Sequence, residues 1–152
     1  FPEREQPEGS MILRLASDQC AGYWEDIKNV VAASMPTFAD NSQDGMNQVL
    51  ANLLDGHAQA WIALEAGAVV AMAVTLLQTD VITGAKNLLI YALAGYGNIK
   101  KETWEEGFAA LKRFAASEGC FKVIAFSSVP RVVEIATGLG GNCSTRVIEW
   151  EV

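Results

Sequence analysis

Histidine is nearly absent from this chain of 152 residues, and His57 is the only one. A metal site built on several imidazoles is therefore excluded. Cysteine is scarce and odd in number. Cys20, Cys120 and Cys143 form no C-x-x-C pair, which argues against a disulfide framework and against a zinc site. Reduced thiols and a cytoplasmic setting are the reading that follows. Basic residues are the minority, 11 Lys and Arg against 18 Asp and Glu, for a formal net charge of −7. That balance speaks against a nucleic-acid partner, whose recognition needs a basic face. It also makes any polyanionic cofactor dependent on local positive charge. No uninterrupted apolar run reaches the roughly 18–20 residues that span a bilayer, so no membrane partner is expected. The longest candidate, from Ala66 to Leu77, carries Gly67 and Thr75 and suits a buried strand.

What is present is a chain with 51% hydrophobic and 19% charged residues, the balance of one globular domain with a sizeable core. No early segment has the basic-then-apolar layout of a signal peptide. Gly9-Ser10 ahead of Met11 has the look of a cloning junction, so Phe1–Ser10 reads as a fused remnant or a flexible tail. Residues 11–152 then form a single domain.

Along that domain, Met11–Leu15 is a short apolar strand. Asp18 offers an N-cap, and Cys20, Trp24, Ile27, Val30 and Val31 recur at helical spacing up to Ser34, ahead of Pro36. Met46, Val49, Leu50, Leu53 and Leu54 mark a second amphipathic helix, closed by Asp55-Gly56. Two extended segments, Ala58–Glu65 and Ala68–Gln78, flank the hairpin signal Ala66-Gly67, and a third runs from Lys86 to Tyr96. Thr103-x-x-Glu106 reads as a capping box. It opens a helix with Trp104, Phe108, Leu111, Phe114 and Ala115 on one face. Phe121–Ser127 is a β-branched and aromatic strand, and Pro130 can start a short helix running to about Gly138. From Cys143 to Val152 the chain alternates, with Ile148, Trp150 and Val152 on one side of a final strand and Glu149 and Glu151 on the other. The helix joining Lys86–Tyr96 to Phe121–Ser127 can return the chain only to a parallel neighbour.

The most informative stretch is Tyr91-Ala92-Leu93-Ala94-Gly95-Tyr96-Gly97-Asn98, which carries a strand into the most amphipathic helix. A glycine turn opening on a helix N-terminus is suited to a phosphate. Backbone N–H groups point outward there, the helix dipole adds positive potential, and no Cβ blocks close approach. Ile99 completes the turn, and Lys100 and Lys101 follow it as local positive charge. The same residues would also serve simply to turn the chain.

The element order β-α-α-β-β-β-α-β-α-β, with Gly95 and Gly97, resembles the GNAT superfamily of N-acetyltransferases over Met11–Val152. The resemblance implies an α/β fold with a mixed, mostly antiparallel central sheet flanked by helices on both faces. It further implies acetyl-CoA or CoA as cofactor, with the pyrophosphate held by a Q/R-x-x-G-x-G/A segment after the fourth strand. Ala92 stands where that segment has Gln or Arg. Gly95, Tyr96, Gly97, Asn98, Ile99, Lys100 and Lys101 become cofactor-binding candidates. Ser127 and Ser128 join them, at the mouth of the gap that admits the pantetheine arm. The expected carboxylate base on the fourth strand is missing, and Ala136 or Thr137 occupies the place of the family's tyrosine acid, so no catalytic residue is assigned. Glu65, Asp80, His57 and Glu134 read as solvated surface or turn residues, and Tyr91 as a packing residue. The closing segment from Phe126 to Trp150 loosely resembles small bacteriophage-encoded members of the superfamily. Two functions follow as expectations. One is CoA-dependent acyl transfer to an amine of a small molecule or protein. The other is a catalytically silent interaction or virion-associated module that binds a protein partner or self-associates; a homodimer is an expected assembly under either function.

Overall fold

The computed structural model describes residues 9–152. Most of Phe1–Ser10 thus lies outside the described residues; Ser10 is the first residue of strand β1. The strands are β1 (Ser10–Arg14), β2 (Ala58–Glu65), β3 (Ala68–Thr79), β4 (Lys86–Gly95) and β5 (Lys122–Ala125). They form one sheet in the order β1-β2-β3-β4-β5. The first four pair antiparallel and β4 pairs parallel with β5, from Asn87↔Lys122 to Ile90↔Ala125. The mixed, mostly antiparallel sheet and the parallel crossover are as the sequence implies. Ala66 and Gly67, both at positive φ, make the tight β2–β3 turn.

Helices α1 (Ser17–Gly22), α2 (Trp24–Ser34) and α3 (Gln43–Asp55) cover one face of the sheet. There Ile27, Val30, Val31, Met46 and Leu53 meet Ala60, Ile62, Met72, Val74 and Ala92. Helix α4 (Lys101–Ser117) covers the other face, where Leu111 and Ala115 pack with Trp61, Ala73 and Leu88. Strand β2 is buried on both faces because each successive side chain meets one of these two layers. Among the described residues no helix is long and apolar enough to cross a membrane.

Four local expectations are corrected. The first helix is broken at Tyr23 into α1 and α2, and Asp18 lies inside the first turn behind Ala16 as the N-cap. The start of α4 is not closed by a Thr103–Glu106 box. Lys100 is the N-cap residue, no cap side chain engages the helix, and Thr103 is buried. Trp104, Phe108 and Phe114 are half-buried. The stripe turned to the sheet is Thr103, Gly107, Leu111 and Ala115, spaced by four; its small members let the helix lie close, and the aromatics flank it. Finally, β5 is shorter than expected, and residues 143–152 form no strand. Alternation supplies a two-faced segment but not a neighbour, and no described strand pairs with it. Helix α5 (Pro130–Gly138) does start at Pro130.

The placement of Phe108 sets a measurable expectation. Phe108→Ala should destabilise by about 1–2 kcal/mol in urea unfolding, well short of the roughly 3–5 kcal/mol of a fully buried phenylalanine. A loss in that higher range would mean that the ring is packed more deeply than its half-exposed position under Lys112 implies.

Candidate functional site

The site begins where two parallel strands part. Pairing between β4 and β5 ends at Ile90↔Ala125, while β4 runs on to Gly95. A bulge lies at the same level. The β3–β4 register steps from Val74↔Ala92 to Thr75↔Ile90, leaving Tyr91 as the extra residue. A bulge bends its strand and increases the local twist, which carries the end of β4 away from its neighbour. Both strands run in the same direction, so residues 91–95 and the chain after Ala125 leave from one end of the sheet. Helix α2 is tied to this splayed stretch: the Leu93 N–H donates to Ser34 Oγ at 3.2 Å, and that hydroxyl donates to the Val30 carbonyl at 2.7 Å.

Beyond Gly95 the chain makes the turn into α4. The Tyr96 N–H still donates to the Val70 carbonyl at 2.8 Å, so the turn is anchored to β3. Gly97 sits at φ +73°, and a Cβ built on it would meet open space. Gly95 is crowded instead, since its Cβ would fall 2.7 Å from Ile99 Cδ1. The two glycines therefore do different work. Gly95 admits Ile99 against the backbone, and Gly97 supplies the left-handed turn and an open face. Tyr96 is half exposed, with its phenol held more basic than usual by burial and by the charge of Asp26 on α2. Lys101 pairs with Glu105 at 3.7 Å and stays exposed.

A residue read from the sequence as a solvated turn proves central here. Glu65, at the end of β2, accepts hydrogen bonds on Oε1 from the Lys100 N–H (2.9 Å) and the Thr103 hydroxyl (2.8 Å). It is the cap that α4 lacks in its own sequence, supplied across 35 residues of chain. These bonds lower its pKa, the backbone bond from Lys100 first and the Thr103 bond second. No local spacing signals this role, because the partner is distant in sequence. The cap takes one of the helix-terminal N–H groups. Those of Gly97, Asn98, Ile99, Lys101 and Glu102 make no hydrogen bond to the described residues.

The depressed pKa has a sign. Protons bind the unfolded carboxylate at higher pH than the folded one, so stability from the cap is full above about pH 4.3. It is lost as pH falls through the lower folded value. Urea midpoints of the wild type should therefore fall more steeply on acidification than those of Glu65→Gln. Equal slopes would show that the cap is not charged.

Ser127 and Ser128 are exposed beyond β5, and Ser127 Oγ accepts from the Val129 N–H at 3.1 Å. Ser127 thus organises the approach to α5, where Val129 is the N-cap residue. The structure brings Gly95–Lys101 together with Glu65, while the two serines follow β5 at the same end of the sheet and make no hydrogen bond to that turn. His57 binds Asp55 at 2.8 Å on the surface, and Thr137 donates to the Val133 carbonyl. Tyr91 packs against the core under α2, where burial raises its pKa. Two shallow concavities lie elsewhere, at β1 with α1 and α3 and at β1 with β2, and neither includes the Gly95–Lys101 turn.

A five-stranded sheet with a bulged, splaying fourth strand and a glycine turn onto the next helix defines the GNAT N-acetyltransferase fold, and the chain has that fold. Solved structures similar to it are acetyltransferases. An aminoglycoside acetyltransferase, meta-AAC0020 from an uncultured soil metagenomic sample, solved with trehalose, superposes with a TM-score of 0.71 at 15% identity, over 94% of this chain and 95% of the other. AAC(6')-Iy in complex with the bisubstrate analog CoA-S-monomethyl-acetylneamine gives 0.69 at 15% identity, over 95% and 98%. A ribosomal-protein-alanine N-acetyltransferase from Brucella melitensis biovar Abortus 2308 gives 0.62 at 14% identity, over 94% and 100%. No family model matches the chain. No curated protein matches it by sequence.

Proposed function

We propose that the protein is an acyl-CoA-dependent N-acyltransferase acting on an amine of a small molecule or a protein. The observation that carries this reading is the parting of β4 from β5 after Ile90↔Ala125, with the glycine turn and the α4 N-terminus directly beyond it. A diphosphate would lie against the N–H groups from Gly97 to Ile99 and at the first turn of α4. Lys100 and Lys101 would stand nearby, and the pantetheine arm would run between the strands toward Ser127 and Ser128. Glu65, Glu102 and Glu105 offset the two lysines, so backbone N–H groups rather than net charge would hold the anion. In the reaction the acceptor nitrogen attacks the thioester carbonyl, an N–C bond forms, the C–S bond breaks, and CoA leaves as the thiol. No side chain of the cleft is placed as base, so water would take the amine proton.

Two solved neighbours, AAC(6')-Iy and meta-AAC0020, carry CoA conjugates or sisomicin by their own descriptions, which makes aminoglycosides a sensible first acceptor panel. The test is isothermal titration with acetyl-CoA beside a thermal shift, since a bound ligand must raise stability by mass action. Heat of binding together with a raised melting temperature is the expected result. No heat and no shift at saturating ligand would overturn the proposal.

A further inference from the structure

We propose that Ser34 is a catalytic residue, whose hydroxyl joins the Leu93 N–H in a two-donor site for the thioester carbonyl oxygen of the bound acyl-CoA. The role rests on the acyltransferase reading and adds to it a side chain that acts on the reacting group. Leu93 lies opposite Ala73 in the β3–β4 pair, yet its N–H donates to Ser34 Oγ at 3.2 Å. In an antiparallel pair every second residue turns its N–H and C=O away from the partner strand. For Leu93 that side is the gap, because pairing with β5 has ended at Ile90↔Ala125. A helix hydroxyl therefore fills the place of a missing strand partner.

The segment that carries this hydroxyl bridges the parted strands. Ser34, the last residue of α2, holds β4, and Phe38 packs edge-on at 5.6 Å against Phe126, directly after β5. Ser34 is only half-buried, so a ligand in the gap can reach it. Depth agrees as well. Leu93 stands four residues before Gly97, about 13 Å along an extended chain. The pantetheine arm has about twelve skeletal bonds from phosphate oxygen to sulfur, as many as about four extended residues. With the diphosphate at Gly97–Ile99, the thioester falls level with Leu93.

Both donors are free to turn. The 3.2 Å bond between them is at the long end of the normal range. The Ser34 hydroxyl donates at 2.7 Å to the Val30 carbonyl, which in a helix already accepts the Ser34 N–H, so giving up that bond orphans nothing. One oxygen can sit within hydrogen-bond distance of both groups. As the amine attacks, negative charge gathers on that oxygen, and donors held by helix and strand stabilise it. The charge passes to sulfur when the C–S bond breaks, and the thiolate takes a proton from water. The carbonyl end of α2 opposes negative charge there, a smaller effect than a direct hydrogen bond.

The test is the infrared band of acetyl-CoA isotope-labelled at the thioester carbonyl, recorded on the full chain beside titration calorimetry. Bound to the wild type, the band should move to lower frequency than in water, because fixed donors polarise the carbonyl more strongly. Ser34→Ala should bind acetyl-CoA within about threefold of the wild type yet lose about half of that shift or more, and Ser34→Thr should restore it. With an amine acceptor in hand, Ser34→Ala should lower kcat about 100-fold and leave KM for acetyl-CoA nearly unchanged. Binding with an unshifted band, or a shift that survives in Ser34→Ala, overturns the role of Ser34 and leaves the acyl-CoA site standing. Absence of binding overturns both. Should Ser34→Ala fail to fold, Ser34→Cys decides, since a thiol of similar size is a weak donor: a full wild-type shift there refutes the role.

Discussion

A Gly97→Val variant should lose acetyl-CoA binding altogether while remaining folded. Gly97 stands at φ +73° with open space where a Cβ would be. A valine there carries two penalties of different kinds. One is steric toward the ligand, because its methyl groups would fill the space in front of the Gly97–Ile99 N–H groups. The other is conformational, about 1–2 kcal/mol or somewhat more for a branched residue in the left-handed region. The second penalty could be mistaken for the first, and Gly84→Val separates them. Gly84 has a similar φ of +76° and equally open surroundings, but it lies in the β3–β4 turn at the far end of β4. Both variants should lose similar stability, and only Gly97→Val should lose the calorimetric signal. Lys100→Glu and Lys101→Glu should weaken binding more at low salt than at high salt, since both side chains are exposed and screened. Full affinity in all of these would mean that the turn only connects strand to helix.

Much of the fold could be read from periodicity, because periodicity reports which face of an element is covered. Ile27, Val30 and Val31 on α2, and Leu53 on α3, are buried where their spacing places them. The parallel β4–β5 pair follows from the helix between them. What escaped the sequence depends on contacts between distant segments. On α4, Leu111 and Ala115 are buried as their spacing implies, but the line of close approach continues through Thr103 and Gly107 and not through Trp104, Phe108 and Phe114, because small side chains permit the shorter approach. The cap of α4 comes from Glu65 on another strand, which no local motif records. The alternation up to Val152 was legible as a pattern, but a strand also needs an edge to lie on. At the site, the glycine turn was visible in the sequence. The bulge at Tyr91 and the Ser34–Leu93 bond, which shape the cleft, were not.

Substituting Thr75 by valine should destabilise the protein by about 2–4 kcal/mol, despite the near-identical size of the two side chains. Thr75 is fully buried on β3 and lies in the middle of a polar relay across the β2–β3 pair. The Trp61 indole N–H donates to Thr75 Oγ1 at 2.9 Å, and the Thr75 hydroxyl donates to Gln59 Oε1 at 2.8 Å. Gln59 then donates to the carbonyls of Gly56 (2.9 Å) and His57 (3.2 Å), fixing the turn that leads from α3 into β2. Valine removes the hydroxyl and leaves a buried donor on Trp61 and a buried acceptor on Gln59 unpaired. Each such group costs about 1–3 kcal/mol, more than the small gain from an extra methyl. The melting temperature should fall by about 5–15 °C for a domain of this size. Thr75→Ser keeps the relay and should cost only about 1 kcal/mol, from the lost methyl. The sharper check is a double-mutant cycle with Trp61→Phe, which removes the orphaned donor itself. Thr75→Val should cost less in that background than in the wild type. Equal costs would show that the indole hydrogen bond contributes nothing, and that the loss comes from the Gln59 acceptor left unpaired and from packing.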